Sequence, residues 1–270
     1  VWFVGTQSLP GWSIIALIIG VGGASGGVMT MTHELGHKTN KWDRLSAKIG
    51  NMIIGYGHFN IEHNRGHHTW VATPEDPASA RFNESIYAFA RRELPGALRR
   101  GLAHERERME KKGLSFWHWK NETLQGYAVT LIVAVILVFA FGWIMLPFLA
   151  INTLVGWYSL TEANYVEHYG LKRRKLENGR YEPCQPHHSW NTNHMVSNLM
   201  LFHLQRHSDH HAHPMRPYPA LRLPKSQEAP MLPYSLPVMA TLALFPSLWK
   251  RVMGRALHRW REQAAQLSVD

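Results

Sequence analysis

The stretch PGWSIIALIIGVGGASGGVMTMTHELGHKT, residues 10–39, joins a long apolar segment to two closely spaced histidines. Residues 1–32 carry no charged side chain, and residues 10–31 are long enough to cross a bilayer as one helix. His33 and His37 follow at a spacing of four residues, which places both imidazoles on one face of a helix. The sequence therefore predicts a membrane helix that carries two metal-binding side chains to one side of the membrane.

The same residues admit a second interpretation. His33, Glu34 and His37 form the pattern H-E-x-x-H, in which two histidines hold zinc and the glutamate acts as the general base of a metalloprotease. A catalytic zinc ion takes about three protein ligands and keeps an open position. A zinc protease would therefore leave most of the other clustered histidines of this chain unexplained.

Two further apolar segments extend the membrane interpretation. Residues 123–161 carry no charge, and as one helix they would be roughly 58 Å long, about twice the hydrocarbon thickness. We expect a hairpin of two spanning helices that turns between Phe141 and Pro147. Residues 231–249 are apolar but contain three prolines, and a re-entrant and an interfacial segment both remain open. The expected fold class is an all-α, integral-membrane helical bundle, with residues 1–270 as a single domain.

Basic residues predict the orientation of these helices. The chain has 29 Lys and Arg against 19 Asp and Glu, and residues 81–120 alone hold ten Lys and Arg against five Glu. Connections rich in Lys and Arg stay on the cytoplasmic side, so we expect a multi-pass protein whose histidine-bearing helix ends face the cytoplasm. Beside spanning helices such charges determine topology, and we expect membrane lipid and no nucleic acid as a partner.

Histidine is unusually frequent. The chain has 18, and half of them fall in the four short clusters HELGH, EHNRGHH, NYVEHYG and QRHSDHH. In three clusters the spacing is helical and predicts imidazoles on one face, within reach of a common ion. The nine clustered residues are His33, His37, His63, His67, His68, His168, His207, His210 and His211.

Nine imidazoles exceed the ligand number of one ion and fit two ions with four or five nitrogens each. Nitrogen ligands suit iron, zinc and copper alike, so the ligand type leaves the metal open. Soluble di-iron proteins use Glu-x-x-His on two helices together with two further Glu, whereas Glu34 and His37 give the only such match within the clusters. The sequence therefore predicts a histidine-rich di-metal site.

Electron carriers are missing from the sequence. Cys184 is the single cysteine, which excludes a disulfide framework and a tetrathiolate or iron–sulfur centre within this chain. No dinucleotide fingerprint follows a strand pattern. The glycine-rich residues 20–27 lie in the apolar segment, where Gly22/Gly26 and Gly23/Gly27 favour close packing of membrane helices.

The strings HELGHK, EHNRGHH, NYVEHYGL and LQRHSDHHAHP resemble the four histidine boxes of the bacterial membrane-bound alkane monooxygenases, the alkane 1-hydroxylase family. The resemblance runs from Thr32 to about Arg222. The wider superfamily, which includes membrane fatty-acid desaturases and sterol hydroxylases, shares three such boxes. NYVEHYGL and LQRHSDHH narrow the resemblance to the alkane and xylene type.

This resemblance implies a non-haem centre of two Fe ions that activates O2 and hydroxylates a terminal methyl group of n-alkanes. It implies the nine box histidines as ligands, and a rubredoxin with its NADH-linked rubredoxin reductase as the electron source. The enzyme would be a rubredoxin-dependent alkane 1-monooxygenase of the bacterial inner membrane. Family members have further spanning helices before the first box, so we expect this sequence to be a fragment.

Clustered histidines also suit four different functions. A xylene-type hydroxylase or a fatty-acid desaturase would share the boxes. A zinc intramembrane protease is favoured only by HELGH, and a non-enzymatic metal carrier is favoured only by the number of histidines.

Four residues near the boxes are candidates for supporting roles. His203 lies one turn before His207 and is the candidate for a spare ligand. Asp209, Glu62 and Glu167 neighbour ligands in sequence, and we expect them to orient histidines rather than bind metal.

Overall fold

Helices are the only regular elements in the computed structural model, which describes residues 1–267. Within that range the β pairing is limited to two isolated bridges, Lys175–Tyr181 and Asn191–Met231. The all-α prediction is therefore confirmed. The helices are α1 (Trp2–Thr6), α2 (Gly11–Gly36), α3 (Lys41–Ile53), α4 (Phe59–Glu62), α5 (His68–Trp70), α6 (Ile86–Glu110), α7 (Glu122–Phe141), α8 (Met145–His168), α9 (Met195–Met200), α10 (His207–Ala212), α11 (Leu236–Ala243) and α12 (Pro246–Leu267).

The chain divides into two compact units. The first consists of Val1–Gly66 and Leu98–Leu160, and the second of His67–Ala97 and the residues from Thr161 onward. Because a unit built from two chain segments need not fold by itself, the single-domain expectation stays a prediction.

Two helices, α2 and α7, are long and apolar enough to cross a membrane by length and composition. The predicted hairpin turn is confirmed, because α7 ends at Phe141, Gly142 adopts a φ of 83°, and α8 begins at Met145. A positive φ suits glycine, which has no Cβ to clash with the backbone. The second arm, α8, is not among the described helices that pass the same apolarity test.

Small residues let α2 approach α8 closely in the first unit. A Cβ added at Gly22 would lie 2.5 Å from Val155 Cγ1, and one at Gly26 would lie 2.8 Å from Ser159 Cβ. Gly23 and Gly27 face open space. The packing prediction is therefore confirmed for Gly22/Gly26 and wrong for Gly23/Gly27, because neighbouring helix positions point about 100° apart.

The last apolar segment breaks where its prolines predict. Helix α11 has eight residues and is about 12 Å long, too short to cross a bilayer. Pro246 begins α12, and the buried side chains Leu236, Met239 and Trp249 belong to the core. Residues 236–249 therefore pack within the second unit.

Hydrogen bonds around Trp190 and Asn191 position α10 in the second unit. The Trp190 amide donates to Glu167 O at 2.8 Å, and its Nε1 donates to Tyr169 O at 2.9 Å. Asn191 Nδ2 donates to Ser208 Oγ at 2.6 Å and its Oδ1 accepts from the Ser208 amide at 3.0 Å. These bonds tie the segment beside the end of α8 to the helix that carries His207 and His211.

Candidate metal centre

A group of three histidine rings lies in the first unit at the end of α2. The ring centroids of His33 and His37 are 4.9 Å apart, and His63 lies 4.5 Å from His33 and 5.1 Å from His37. Phe59 stacks on His63 at 5.1 Å. His33 and His63 are buried, whereas His37 is half-buried. We call these residues the three-histidine group.

The second unit contains a group of four, His67, His168, His207 and His211, which we call the four-histidine group. One nitrogen of each lies within 4.8 Å of the others, and all four rings are buried. His207 Nε2 is 3.0 Å from His168 Nε2 and 3.0 Å from His211 Nε2. The rings come from α8, α10 and the residue before α5, so three separate segments converge.

The convergence of these Nε2 atoms fits a metal ion. A neutral imidazole has one N–H and one lone pair, so three Nε2 atoms that face one another place lone pairs together. Nitrogens bound to one ion at about 2.0–2.1 Å lie about 3 Å apart, as these do. Burial lowers the pKa of His211 well below its usual value, and the neighbouring histidines lower it further, which maintains the neutral ring that binds metal.

A further pair, His68 and His210, lies in the same unit. Their Nε2 atoms are 3.2 Å apart, and the His68 ring centroid is 4.5 Å from that of His211. Two additional nitrogen donors are therefore available in the second unit. With this pair, all nine predicted ligands have been placed.

The partition of the histidines differs from the one that helical spacing predicts. A π-helical turn spans His63–His67, and His63 contacts the three-histidine group while His67 belongs to the four-histidine group. In the last cluster, His207 and His211 belong together, but His210 pairs with His68. The expectation that each cluster serves one ion is wrong for EHNRGHH and QRHSDHH. For HELGH, the two rings do lie side by side.

Two buried carboxylates approach the outer nitrogens of the four-histidine group. Glu167 Oε2 lies 3.4 Å from His207 Nδ1, as expected of an orienting residue. Asp76 Oδ2 lies 2.9 Å from His67 Nδ1 and also accepts from Ser79 Oγ. Such a carboxylate fixes the tautomer and leaves Nε2 as the metal ligand. Sequence reasoning missed Asp76, and its only sequence signal is a turn-forming Asp-Pro pair nine residues after His67.

The other two carboxylates expected to orient histidines bind arginines. Glu62 pairs with Arg100. Asp209 accepts from Arg216 Nη1 at 2.5 Å and from the Arg222 amide at 2.8 Å. An ionised guanidinium is a strong partner for a carboxylate, so the expectation is wrong for Asp209, whereas for Glu62 it stays a prediction.

Three other residues each have a partner outside the three-histidine and four-histidine groups. His203 is outside α10, with a φ of 54°, and its ring packs at 5.8 Å from Tyr218, so the spare-ligand expectation is wrong. Glu34 lies 2.5 Å from Lys38 Nζ. His188, beside Glu182, accepts from the Gln185 amide at 2.9 Å, and burial lowers its pKa to about 4.

Sequence comparison identifies the family to which these histidines belong. The sequence model of the fatty acid desaturase family matches residues 9–243. The chain belongs to the fatty acid desaturase family. Histidine-rich groups in a helical chain agree with the membrane-type members that the box resemblance predicts.

Several relatives of this chain carry the name alkane 1-monooxygenase. The chain is 49% identical to "Alkane 1-monooxygenase" of Pseudomonas putida, 50% identical to that of Ectopseudomonas oleovorans and 49% identical to "Alkane 1-monooxygenase 1" of Alcanivorax borkumensis. Each alignment covers 96% of this chain and 64% of the relative. The resemblance is thus confirmed, and the chain spans just under two thirds of these proteins.

Proposed function

We propose that this desaturase-family chain carries the site of an O2-dependent alkane 1-monooxygenase that converts n-alkanes to 1-alkanols. The observation that carries the proposal is the four-histidine group, whose Nε2 atoms converge to 3.0 Å in a buried setting. The names of relatives that are 49–50% identical supply the substrate class.

The metal in this proposal is iron, two ions per chain. When bound, iron supplies the O2-derived oxidant that a strong, apolar C–H bond requires, which no acid–base pair of the protein could replace. The chain contributes neutral imidazoles and the carboxylates that orient them. The proposed ligands are His33, His37, His63, His67, His68, His168, His207, His210 and His211.

Substrate selection follows from the chemistry of an alkane. It offers no hydrogen bond, so the chain can orient it only by the shape of an apolar channel that also excludes water. Apolar pockets discriminate by about 1–3 kcal/mol per methylene. We expect a range of chain lengths to be oxidised.

The proposed location is the bacterial inner membrane, with several spanning helices and the histidines on the cytoplasmic side. Helix α7 supports this, because its side chains Leu131, Ile132 and Phe139 are exposed along an apolar helix. A soluble protein would leave that surface in water, whereas lipid would cover it.

Rubredoxin and its NADH-linked reductase are the proposed electron source, since the chain has a single cysteine. A basic surface speeds the encounter with an acidic carrier. Basic residues cluster at positions 91–92, 99–100 and 172–175. Among them, Arg92 binds Glu84, Arg100 binds Glu62, and Arg173 donates to Glu182 O. The exposed members that can meet a carrier are Arg91, Arg99, Lys172, Arg174 and Lys175.

The test is product analysis on membranes that contain the full protein. We expect 1-octanol by gas chromatography after feeding octane, O2, NADH, rubredoxin and reductase, and two irons per chain by metal analysis. Membranes with the His168→Ala variant are the control and should give no octanol. Absence of octanol from fully iron-loaded protein would contradict the proposal.

Desaturation is the second candidate, favoured by the family to which the chain belongs. It would use the same metal site but release an alkene. One tightly held zinc would instead support a protease, and loosely held mixed metals would support a metal carrier. The same product and metal analyses therefore separate the alkane hydroxylase, the desaturase, the protease and the metal carrier.

A further inference from the structure

A strongly basic cavity of about 520 Å³ lies in the first unit. Its lining comes from the end of α2, from α3, from the segment that carries Asn60 and Asn64, from the end of α6 with the segment that follows it, and from the start of α7. Seven of the lining side chains are Lys or Arg, and Glu122 is the single carboxylate among them. The cavity therefore carries a large excess of positive charge, which the proposed oxidation does not use.

That charge is only partly balanced within the chain. Glu122 is shared, because Lys48 Nζ lies 3.8 Å from one of its oxygens and Arg108 Nη1 lies 3.5 Å from the other. Arg108 also pairs with the buried Glu105, at 2.5 Å from its Nη2. No ion pair with a carboxylate is found for Arg44 or Lys112 among residues 1–267. Several cations that face one cavity without counter-charges favour an anionic ligand.

Helix α3 separates its basic and apolar residues. Lys41, Arg44 and Lys48 line the cavity. Trp42 and Ile53 are 64% and 69% exposed. The exposed Leu45 and Ile49 continue the same apolar stripe at helical spacing, and Leu45 also lines the cavity, at the border of the two faces. A helix with an uncovered apolar face and a Lys/Arg-rich face is typical of the membrane interface, where lipid headgroups lie.

Asn51 provides a polar contact of a different kind. Its side chain lines the cavity and is 3% exposed, and its Oδ1 has no hydrogen-bond partner within the described chain. A buried amide oxygen without a partner is costly and is satisfied by a donor. A ligand that fits this cavity therefore combines an anionic group with a hydroxyl donor.

We propose that the cavity binds the headgroup of an anionic glycerophospholipid of the phosphatidylglycerol type. Arg44, Lys48 and Lys112 receive the phosphodiester, and a headgroup hydroxyl donates to Asn51 Oδ1. The acyl chains lie along the exposed apolar side chains of α3. Basic pockets beside membrane helices bind lipid headgroups by this chemistry. The inference rests on the proposed membrane placement and is independent of alkane oxidation.

The test measures lipid retention by native mass spectrometry of the full protein after exchange into phosphatidylglycerol, phosphatidylmethanol or phosphatidylcholine. We expect phosphatidylglycerol to be retained about tenfold more than phosphatidylcholine. Arg44→Gln with Lys112→Gln should remove that preference, because each cation near the surface contributes severalfold. Lys250→Gln with Arg255→Gln removes the same charge from exposed positions of α12 and should leave the preference unchanged.

Two further arms identify the ligand. Phosphatidylmethanol keeps the charge but lacks the hydroxyl, so it should bind more weakly than phosphatidylglycerol to the parent and equally to Asn51→Leu. Soluble glycerol phosphate should compete only weakly with phosphatidylglycerol for the cavity. Equal loss of lipid in both double variants, or glycerol phosphate binding that matches the lipid, would overturn the inference. Iron content and octane oxidation are measured separately, so the lipid-retention result can be interpreted even if the proposed hydroxylation fails.

Discussion

The three-histidine group of the first unit and the four-histidine group of the second unit are built differently. The four-histidine group is buried throughout, and Asp76 and Glu167 approach the outer nitrogens of two of its rings. In the three-histidine group, Phe59 stacks on His63 and His37 is half-buried at the end of a helix. The difference teaches that four convergent nitrogens could hold an ion largely by themselves, whereas three would need additional donors.

This comparison predicts the largest effect for a ligand of the four-histidine group. His211→Ala removes one of four converging nitrogens and should lower octane hydroxylation more than about 100-fold, together with iron content, since the two ions of the proposed centre would act together. His203→Ala, whose ring packs on Tyr218, is the matched control and should keep both. Full activity in His211→Ala would remove that residue from the ligand set.

Asp76→Asn tests whether the buried carboxylate distinguishes the two groups. An amide can no longer fix the His67 tautomer by accepting from Nδ1–H as a charged group, and loss of such a partner typically costs about 10–100-fold in metal affinity. The measurement is iron retention against a chelator. Asp209→Asn, whose carboxylate binds Arg216 instead of a histidine in either group, should retain iron like the parent; equal iron loss in the two variants would show that Asp76 has no special role.

Overpacking tests how closely α2, the helix that carries His33 and His37, packs against α8. Gly22→Leu should destabilise the first unit by about 1–3 kcal/mol, because even a Cβ would lie 2.5 Å from Val155 Cγ1. Gly23→Leu faces open space on the same helix and should not destabilise it. Thermal unfolding in lipid nanodiscs gives the measurement, and equal midpoints for the two variants would refute close packing at Gly22.

A smaller effect is expected from exposed basic residues in the two units. Lys172→Glu with Lys175→Glu changes the second unit, and Arg99→Glu with Arg106→Glu changes the first; all four side chains are exposed. If rubredoxin docks at one of these two surfaces, the double variant that changes that surface should show a KM for rubredoxin raised severalfold. Its rubredoxin-dependent turnover should also depend less on salt. Parent-like values in both correctly inserted variants would exclude docking at these residues.

The smallest effect is predicted for Glu34→Gln, a substitution in α2 between His33 and His37. The Glu34 carboxylate lies 2.5 Å from Lys38 Nζ, so alkane oxidation should remain within about twofold of the parent, and the parent should hydrolyse no peptide. Loss of all oxidation with iron retained would give Glu34 a chemical role.

Sequence periodicity predicts much of this arrangement. The apolar segments and the charge-free hairpin indicate α2, α7 and the turn near Gly142, and all nine clustered histidines are found in histidine-rich groups. Residue spacing cannot predict their partition, because the π-helical turn at His63–His67 changes the direction of successive side chains. The contact between Asp76 and His67 could not be predicted either, because it depends on a turn that no periodic pattern encodes.

The four-histidine group has a consequence for how the protein is made. Its members extend along the chain from His67 to His211, so no ribosome-bound intermediate shorter than this can hold the complete set of nitrogens. At a synthesis rate of about 5–20 residues per second, His67 waits roughly 7–30 s for His211. During that interval the four-histidine group is incomplete, so an ion that needs all four nitrogens could be held only after α10 has been made.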